Sequence, residues 1–265
     1  MNILDKIIEY KKSYIQETRE LKPVKLLERS LFFNTKPVSL KKYLNREDRV
    51  GIIAEIKRSS PSAGMINNKI DVEELSIAYM QAGASALSVL TDQKFFNGNN
   101  NDLEIARKYN YCPILRKDFI IDEYQLIEAK SIGADCILLI AACLNPAKCQ
   151  ELAAFAKSLD LEVLLEIREK EDIETHVNEH IDLIGVNNRD LKTFRTDLLK
   201  SKALHAYLPK ELTWISESGI SQPDEIIELK KLGYKGFLIG GYFMKYDEPG
   251  RICQNLIKEV KTLMQ

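Results

Sequence analysis

The sequence is short of the features that mark secreted, membrane-embedded or nucleic-acid-binding chains. No apolar run approaches the roughly 18 residues needed to cross a bilayer. Near the N-terminus, Asp5, Lys6, Glu9, Lys11 and Lys12 interrupt any apolar core of a secretory leader. An excess of one charge sign is also missing. Lys plus Arg number 38 against 39 for Asp plus Glu, a net charge of −1, so nothing calls for nucleic acid or an acidic membrane surface. The first fifty residues lean basic, but acids alternate with the bases, as on a solvated helix face. The five cysteines, Cys112, Cys136, Cys143, Cys149 and Cys253, form no C-x-x-C pair, and several stand inside apolar runs. They read as buried free thiols in a reducing compartment. The expectation is a cytoplasmic protein with no membrane and no nucleic-acid partner.

What is present is a repeat. Short apolar, β-branched runs recur at 51–56, 85–90, 112–116, 135–141, 161–167, 182–187, 212–216 and 235–240. Their starts lie roughly 20 to 35 residues apart, room for a strand, a helix and two loops. Each run is apolar on both faces, as a parallel strand covered by helices must be. Amphipathic helices are predicted between them, most clearly at 72–82, 122–132, 146–159, 223–232 and 250–263, with Asp122, Asn145 and Ser221 as N-caps. Gly83, Gly133 and Gly233 each follow a helix and precede a strand, where a left-handed residue turns the chain.

Eight such units close into a barrel or open into a doubly wound sheet. A dinucleotide-binding open sheet carries G-x-G-x-x-G after its first strand, whereas this chain has Lys57-Arg58-Ser59-Ser60-Pro61. The fold class expected is therefore α/β, a single (βα)8 TIM barrel over 49–265 with an N-terminal helical extension over 1–48. The extension reads as one or two helices, 3–18 and 24–31, packed on a barrel already complete without it. Removing residues 1–45 is accordingly predicted to weaken substrate binding more than stability.

In such barrels the site lies at the C-terminal ends of the strands, and polar residues collect there. The first strand ends Glu55-Ile56-Lys57, the third Arg116-Lys117-Asp118, the fifth Leu165-Glu166, the sixth Asn187-Asn188-Arg189 and the seventh Ser216-Glu217-Ser218-Gly219. Glu55 and Lys57 are two apart on a strand and share a face, so the carboxylate can keep the lysine charged. A structural ion pair at the rim explains any one of these residues, but not all of them at one end. Ser218-Gly219 and Gly240-Gly241 follow the last two strands, where barrels commonly bind phosphate through backbone N–H groups. His176-Val177-Asn178-Glu179-His180 fits an inverted zinc-peptidase pattern. It falls on the helix before the sixth strand, at the opposite rim and without a third ligand. It reads as a solvated helix face, and no metal is expected.

Six ordered segments resemble the indole-3-glycerol phosphate synthase family. They are Ile52-Ile53-Ala54-Glu55-Ile56-Lys57-Arg58-Ser59-Ser60-Pro61-Ser62, Leu90-Thr91-Asp92-Gln93-Lys94-Phe95-Phe96-Asn97-Gly98, Leu115-Arg116-Lys117-Asp118-Phe119-Ile120, Leu165-Glu166-Ile167, Ile184-Gly185-Val186-Asn187-Asn188-Arg189-Asp190-Leu191 and Ile215-Ser216-Glu217-Ser218-Gly219-Ile220. The resemblance spans essentially the whole chain. It implies conversion of 1-(2-carboxyphenylamino)-1-deoxyribulose 5-phosphate to indole-3-glycerol phosphate, carbon dioxide and water in tryptophan biosynthesis, with no cofactor. By the same resemblance Lys117 is the acid at the ketose carbonyl, Glu166 the base, and Lys57 shares acid duty or binds substrate. Which lysine serves which step stays open. Glu55, Asn187 and Glu217 orient these groups and the substrate hydroxyls. Arg189 and Ser60 match positions holding the anthranilate carboxylate, Phe96 and Phe119 the aromatic wall, and Ser218 another substrate contact. Gly219, Gly240 and Gly241 match the phosphate loops. Gly241 departs from the family, which commonly has serine there.

Two alternatives stand beside this reading. A phosphoribosylanthranilate isomerase-like barrel would pair a cysteine with an aspartate, and a non-catalytic binding barrel would show losses among the strand-end residues. The partner expected is a phosphorylated small molecule, the protein itself a monomer or weak homodimer.

Overall fold

All eight apolar runs form strands, and side-chain alternation along each divides the core in two. The computed structural model describes residues 3–190 and 195–265. Leu191, the last residue of one resembling segment, and Met1 and Asn2, the start of the predicted deletion, lie outside the described residues. Among the described residues eight parallel strands close a barrel: Ile52–Ile56, Ala86–Leu90, Ile114–Lys117, Cys136–Ile140, Glu162–Ile167, Leu183–Asn187, Thr213–Glu217 and Gly236–Ile239. They pair in chain order, and the first closes on the eighth with Ile52, Ile53 and Ala54 opposite Phe237, Leu238 and Ile239. Outward residues such as Ile52, Val89, Leu139, Leu165 and Val186 pack beneath the helices. Inward residues, among them Ile53, Leu115, Leu138, Leu164 and Ile215, fill the barrel. The (βα)8 fold is the one expected.

The helices Val72–Gln81, Glu123–Ser131, Pro146–Ser158, Pro223–Lys231 and Pro249–Leu263 stand within two residues of their predicted bounds. Gly83, Gly133 and Gly233 all have positive φ, as the turn into a strand requires. Asp122 and Asn145 cap their helices. Ser221 does not. Pro223 occupies the first helical turn, so Gln222 is the cap and the Ser221 N–H donates to the Glu225 carboxylate instead. Among the described residues four further helices, Gln93–Phe96, Asn100–Tyr109, Lys170–His176 and Leu199–Leu204, lack a clear periodicity. After the first strand, Ser59–Ser60 pairs with Gly64–Met65 in a small hairpin.

The extension differs most from expectation. Among the described residues it holds three helices, Ile3–Leu21, Val24–Leu27 and Leu40–Leu44, and it reaches both ends of the barrel. At the C-terminal end, Ile3, Leu4 and Ile7 line the cavity. The chain then runs along the helix Glu123–Ser131: the Tyr124 hydroxyl donates to the Thr18 and Lys22 carbonyls, and Lys130 to that of Thr35. At the N-terminal end, Leu40 and Leu44 join the interior cluster with Ala86, Leu183 and Ile215. Carboxylates at the strand starts anchor this segment. Asp135 accepts the Val38 N–H at 2.7 Å, and Glu162 accepts the Ser39 hydroxyl at 2.5 Å and the Lys41 N–H at 3.0 Å. The Asn45 side chain donates to the Thr213 hydroxyl at 2.8 Å. A barrel lacking residues 1–45 would have an open floor, so the premise that the barrel is complete without the extension is corrected. Leu40–Leu44 was missed because a five-residue helix is too short to display a period.

Candidate active site

A carboxylate on an inward strand position is expensive to bury alone, and here the cost is offset by lysines. Glu55, Glu166 and Glu217 project inward near the C-terminal ends of the first, fifth and seventh strands, and all are buried. Lys117 Nζ stands 3.1 Å from Glu166 Oε2 and 3.2 Å from Glu217 Oε2. Lys57 Nζ stands 2.5 Å from Glu55 Oε1, the shared face that their spacing implies. Space for the acids comes from neighbouring strands. A Cβ at Gly185 would collide with Glu217 Oε1, and one at Gly240 would collide with the Glu55 side chain.

The electrostatics separate these groups. Burial would lower the Lys117 pKa, but Glu217, Glu166 and Glu55 outweigh it and hold the ammonium well above the usual lysine value. Burial would raise Glu166, but Lys117, the Asn187 side chain and Arg168 outweigh it and hold the carboxyl below its usual value. Burial dominates at Glu217. Lys117 opposes it, Glu166 and Glu55 reinforce it, and the carboxyl is pushed up to about 7. Glu217 Oε1 has no hydrogen-bond partner among the described residues, while Glu166 has Asn187 and Arg168 beside Lys117 to favour its charged form. At neutral pH the centre therefore holds a charged acid and a charged base side by side, with a half-titrated carboxyl across from them.

Because folding raises the Glu217 pKa from its usual 4.5, its contribution to stability is fully present below about 4.5 and lost as pH rises through about 7. Glu217→Gln removes this dependence. The stability of the variant relative to wild type is expected to rise by up to about 3 kcal/mol between pH 4.5 and 8. Urea unfolding at both pH values reads the difference, and an equal gap at each would refute the titration.

The centre opens into a cavity of about 710 Å³. All fourteen residues singled out in the sequence line it: Glu55, Lys57, Ser60, Phe96, Lys117, Phe119, Glu166, Asn187, Arg189, Glu217, Ser218, Gly219, Gly240 and Gly241. On one side, the Phe96 and Phe119 rings stand 5.9 Å apart. The Arg189 guanidinium donates to the Ser62 hydroxyl at 3.2 Å, and the Ser62 and Ser60 hydroxyls are 3.2 Å apart, so the hairpin loop meets the sixth-strand loop. On the other side, Ser218 and Gly219 have φ of 70° and 87°, a strained turn of the kind found at functional loops. Lys245, just beyond Gly241, lines the same side.

The family model described as Indole-3-glycerol phosphate synthase matches residues 4–256. The chain belongs to that family. A relative named indole-3-glycerol phosphate synthase from Bacteroides thetaiotaomicron is 46% identical over 260 residues, covering 98% of this chain and 99% of its own. One of the same name from Caldanaerobacter subterraneus subsp. tengcongensis is 42% identical over 262 residues, covering 98% and 99%. Among solved structures, a mutant tryptophan synthase alpha-subunit from Pyrococcus furiosus superposes with a TM-score of 0.61 at 14% identity, covering 81% of this chain and 98% of its own. The 3-hexulose-6-phosphate synthase of Salmonella typhimurium also gives 0.61, at 12% identity, covering 79% and 99%. These two likenesses concern the barrel fold alone.

Against the background of the synthase family, three positions were overlooked in the sequence. Gly185 and Lys245 carried no local signal. Lys11 did: Ile7, Lys11 and Ile15 follow at intervals of four, so a lysine stands on an apolar stripe. The His176–His180 pattern needs one correction. The helix Lys170–His176 ends at its first histidine, and His176 is buried rather than solvated. Its Nε2 is 3.0 Å from the Leu144 carbonyl and its Nδ1 is 2.8 Å from the Thr175 hydroxyl.

Proposed function

We propose that this protein closes the indole ring of indole-3-glycerol phosphate, acting on 1-(2-carboxyphenylamino)-1-deoxyribulose 5-phosphate as a carboxy-lyase of tryptophan biosynthesis. The observation that carries the reading is the Lys117 ammonium, fixed between two carboxylates at the floor of a cavity with aromatic rings on one side and glycine turns on the other.

Ring closure joins an anthranilate carbon to the ketose carbonyl carbon, and the carbonyl oxygen takes a proton as the bond forms. Lys117 supplies it: the ammonium is charged in the free site and gives its proton to the alkoxide that develops on the carbonyl oxygen. Loss of carbon dioxide restores the aromatic ring. Dehydration then expels the new hydroxyl as water while a base removes the neighbouring proton. Glu166, held ionised, is that base, and Lys57 at the rim assists as acid or binds substrate. Asn187 orients Glu166, while Glu55 and Glu217 hold the two lysines. Arg189 and Ser60 take the anthranilate carboxylate until it leaves, Phe96 and Phe119 flank the ring, and Ser218 contacts the substrate. Gly219, Gly240 and Gly241 present backbone N–H groups to the phosphate, with Lys245 as nearby positive charge. No cofactor enters this scheme, and the protein acts in the cytoplasm as a monomer or weak homodimer.

The isomerase-like alternative lacks its cysteine, since none of the five lines the cavity. Incubation with the anthranilate-linked ribulose phosphate, followed by indole fluorescence and carbon dioxide release, tests the reading directly. Unchanged substrate would point to a binding barrel instead.

The phosphate assignment makes a separate prediction. A Cβ at Gly241 meets no atom within 4 Å, so Gly241→Ser fits without rearrangement. A hydroxyl donated to phosphate contributes on the order of 1 kcal/mol, and KM is expected to stay level or fall by up to about fivefold. Lost binding in a folded Gly241→Ser variant would place the phosphate elsewhere.

A further inference from the structure

The proposed chemistry makes no use of the ion network behind the aromatic side of the cavity. Lys11, on the helix Ile3–Leu21, is only 1% exposed. Its Nζ is 2.6 Å from Asp118 Oδ1 and 3.0 Å from Asp92 Oδ2, and both acids are buried. Burial would lower the Lys11 pKa, but Asp118 and Asp92 outweigh it and hold it raised. Asp118, against the pull of burial, is held low by Lys11 and Arg116. Asp92 Oδ2 has the Lys11 ammonium as its partner, at 3.0 Å. A buried triad of this kind is weak evidence of stability, and fixing a geometry is the better-attested use.

Each acid is tied to one wall of the cavity. Asp92 Oδ1 accepts the Phe95 N–H at 2.7 Å and caps the short helix Gln93–Phe96, which presents Phe96. Asp118 Oδ1 accepts the Phe119 N–H at 2.8 Å, and its Oδ2 accepts the Thr91 hydroxyl at 2.7 Å. One ammonium on the extension thus joins the loop after the second strand to the loop after the third, and the Phe96–Phe119 ring pair spans that joint.

We propose that Lys11 is a positioning residue that sets the separation of Phe96 and Phe119, and through them the binding of the substrate's aromatic ring. The proposal rests on the synthase reading and adds a residue outside the cavity to it. The glycine turns assigned to phosphate stand on the seventh and eighth strands, whereas the joint stands on the second and third. Ring affinity and phosphate affinity are therefore separable.

The test compares Lys11→Gln with Asp92→Asn in the full-length enzyme. Asp92→Asn keeps a side-chain oxygen for the helix cap and removes only the charge, so it remains informative if Lys11→Gln does not fold. For each variant, KM for the anthranilate-linked ribulose phosphate is measured beside the inhibition constant of inorganic phosphate. KM is expected to rise by about tenfold, the scale of one lost aromatic contact. The phosphate constant should stay within about twofold, as for a distant site. An unchanged KM in folded Asp92→Asn overturns the proposal. A phosphate constant that worsens in parallel with KM overturns it too, because general loosening then suffices. Absence of turnover in the wild-type enzyme would instead remove the synthase reading, and this proposal with it.

Discussion

Replacing Lys117 with alanine is expected to lower turnover by about two to four orders of magnitude with KM nearly unchanged. That loss corresponds to roughly 3–5 kcal/mol of barrier. Lys117 contacts Glu166 and Glu217, whereas the rings and the glycine turns are the groups assigned to hold ground-state substrate. Lys57 pairs with Glu55 beside the hairpin, closer to the cavity mouth, and Lys57→Ala should therefore damage kcat and KM together. A sharper expectation follows from the shared charge. Lys117 is the largest influence holding the Glu166 pKa down, so its removal lets that pKa rise and weakens the distinction between acid and base. The double variant Lys117→Ala with Glu166→Gln should then be little worse than Lys117→Ala alone, as for residues that act as a unit. Single-turnover rates are the proper readout, since they separate chemistry from product release. Near-normal turnover in Lys117→Ala would transfer the role of essential acid to Lys57.

Deleting residues 1–45 is expected to prevent folding, not merely to weaken binding. The deletion uncovers the interior layer that Leu40 and Leu44 close, and it strips donors from Asp135 and Glu162. It also removes Lys11, the ammonium partner of the Asp92 and Asp118 carboxylates. Breaking a buried ion pair from one side costs about 3–5 kcal/mol, and each lost core leucine about 2–5 kcal/mol. Together these match the roughly 5–15 kcal/mol that holds a typical domain folded. Circular dichroism and a thermal scan decide the matter. A soluble truncated barrel melting within a few degrees of the full chain would show that the floor does not need its plug.

The barrel was legible because its signal is repetitive. Eight apolar runs and three helix-ending glycines agree with one another, and an error in one would not have moved the rest. The site was legible because the fold assigns its chemistry to one end of every strand, so Glu55, Lys117, Glu166 and Glu217 announced themselves by ending apolar runs. The extension lacked both aids. Its helix Leu40–Leu44 has no period to read, and its contacts with Asp135, Glu162 and Thr213 join residues far apart in the chain. Lys11 could have been found, since a lysine between Ile7 and Ile15 on one stripe demands buried partners. Gly185 could not, because its meaning depends on an acid in the adjacent strand.

That last dependence reaches beyond this one position. Glu217 lies over Gly185 and Glu55 over Gly240, each acid resting on a neighbouring strand with no side chain between. The two members of each couple are therefore not free to vary one at a time. Enlarging the glycine displaces the acid, and shortening the acid opens a gap beside a glycine that nothing fills. Drift through single substitutions is blocked at both couples, while a compensating exchange, a smaller acid with a larger neighbour, stays sterically open. At these two couples the lining of the barrel would change by paired steps across adjacent strands.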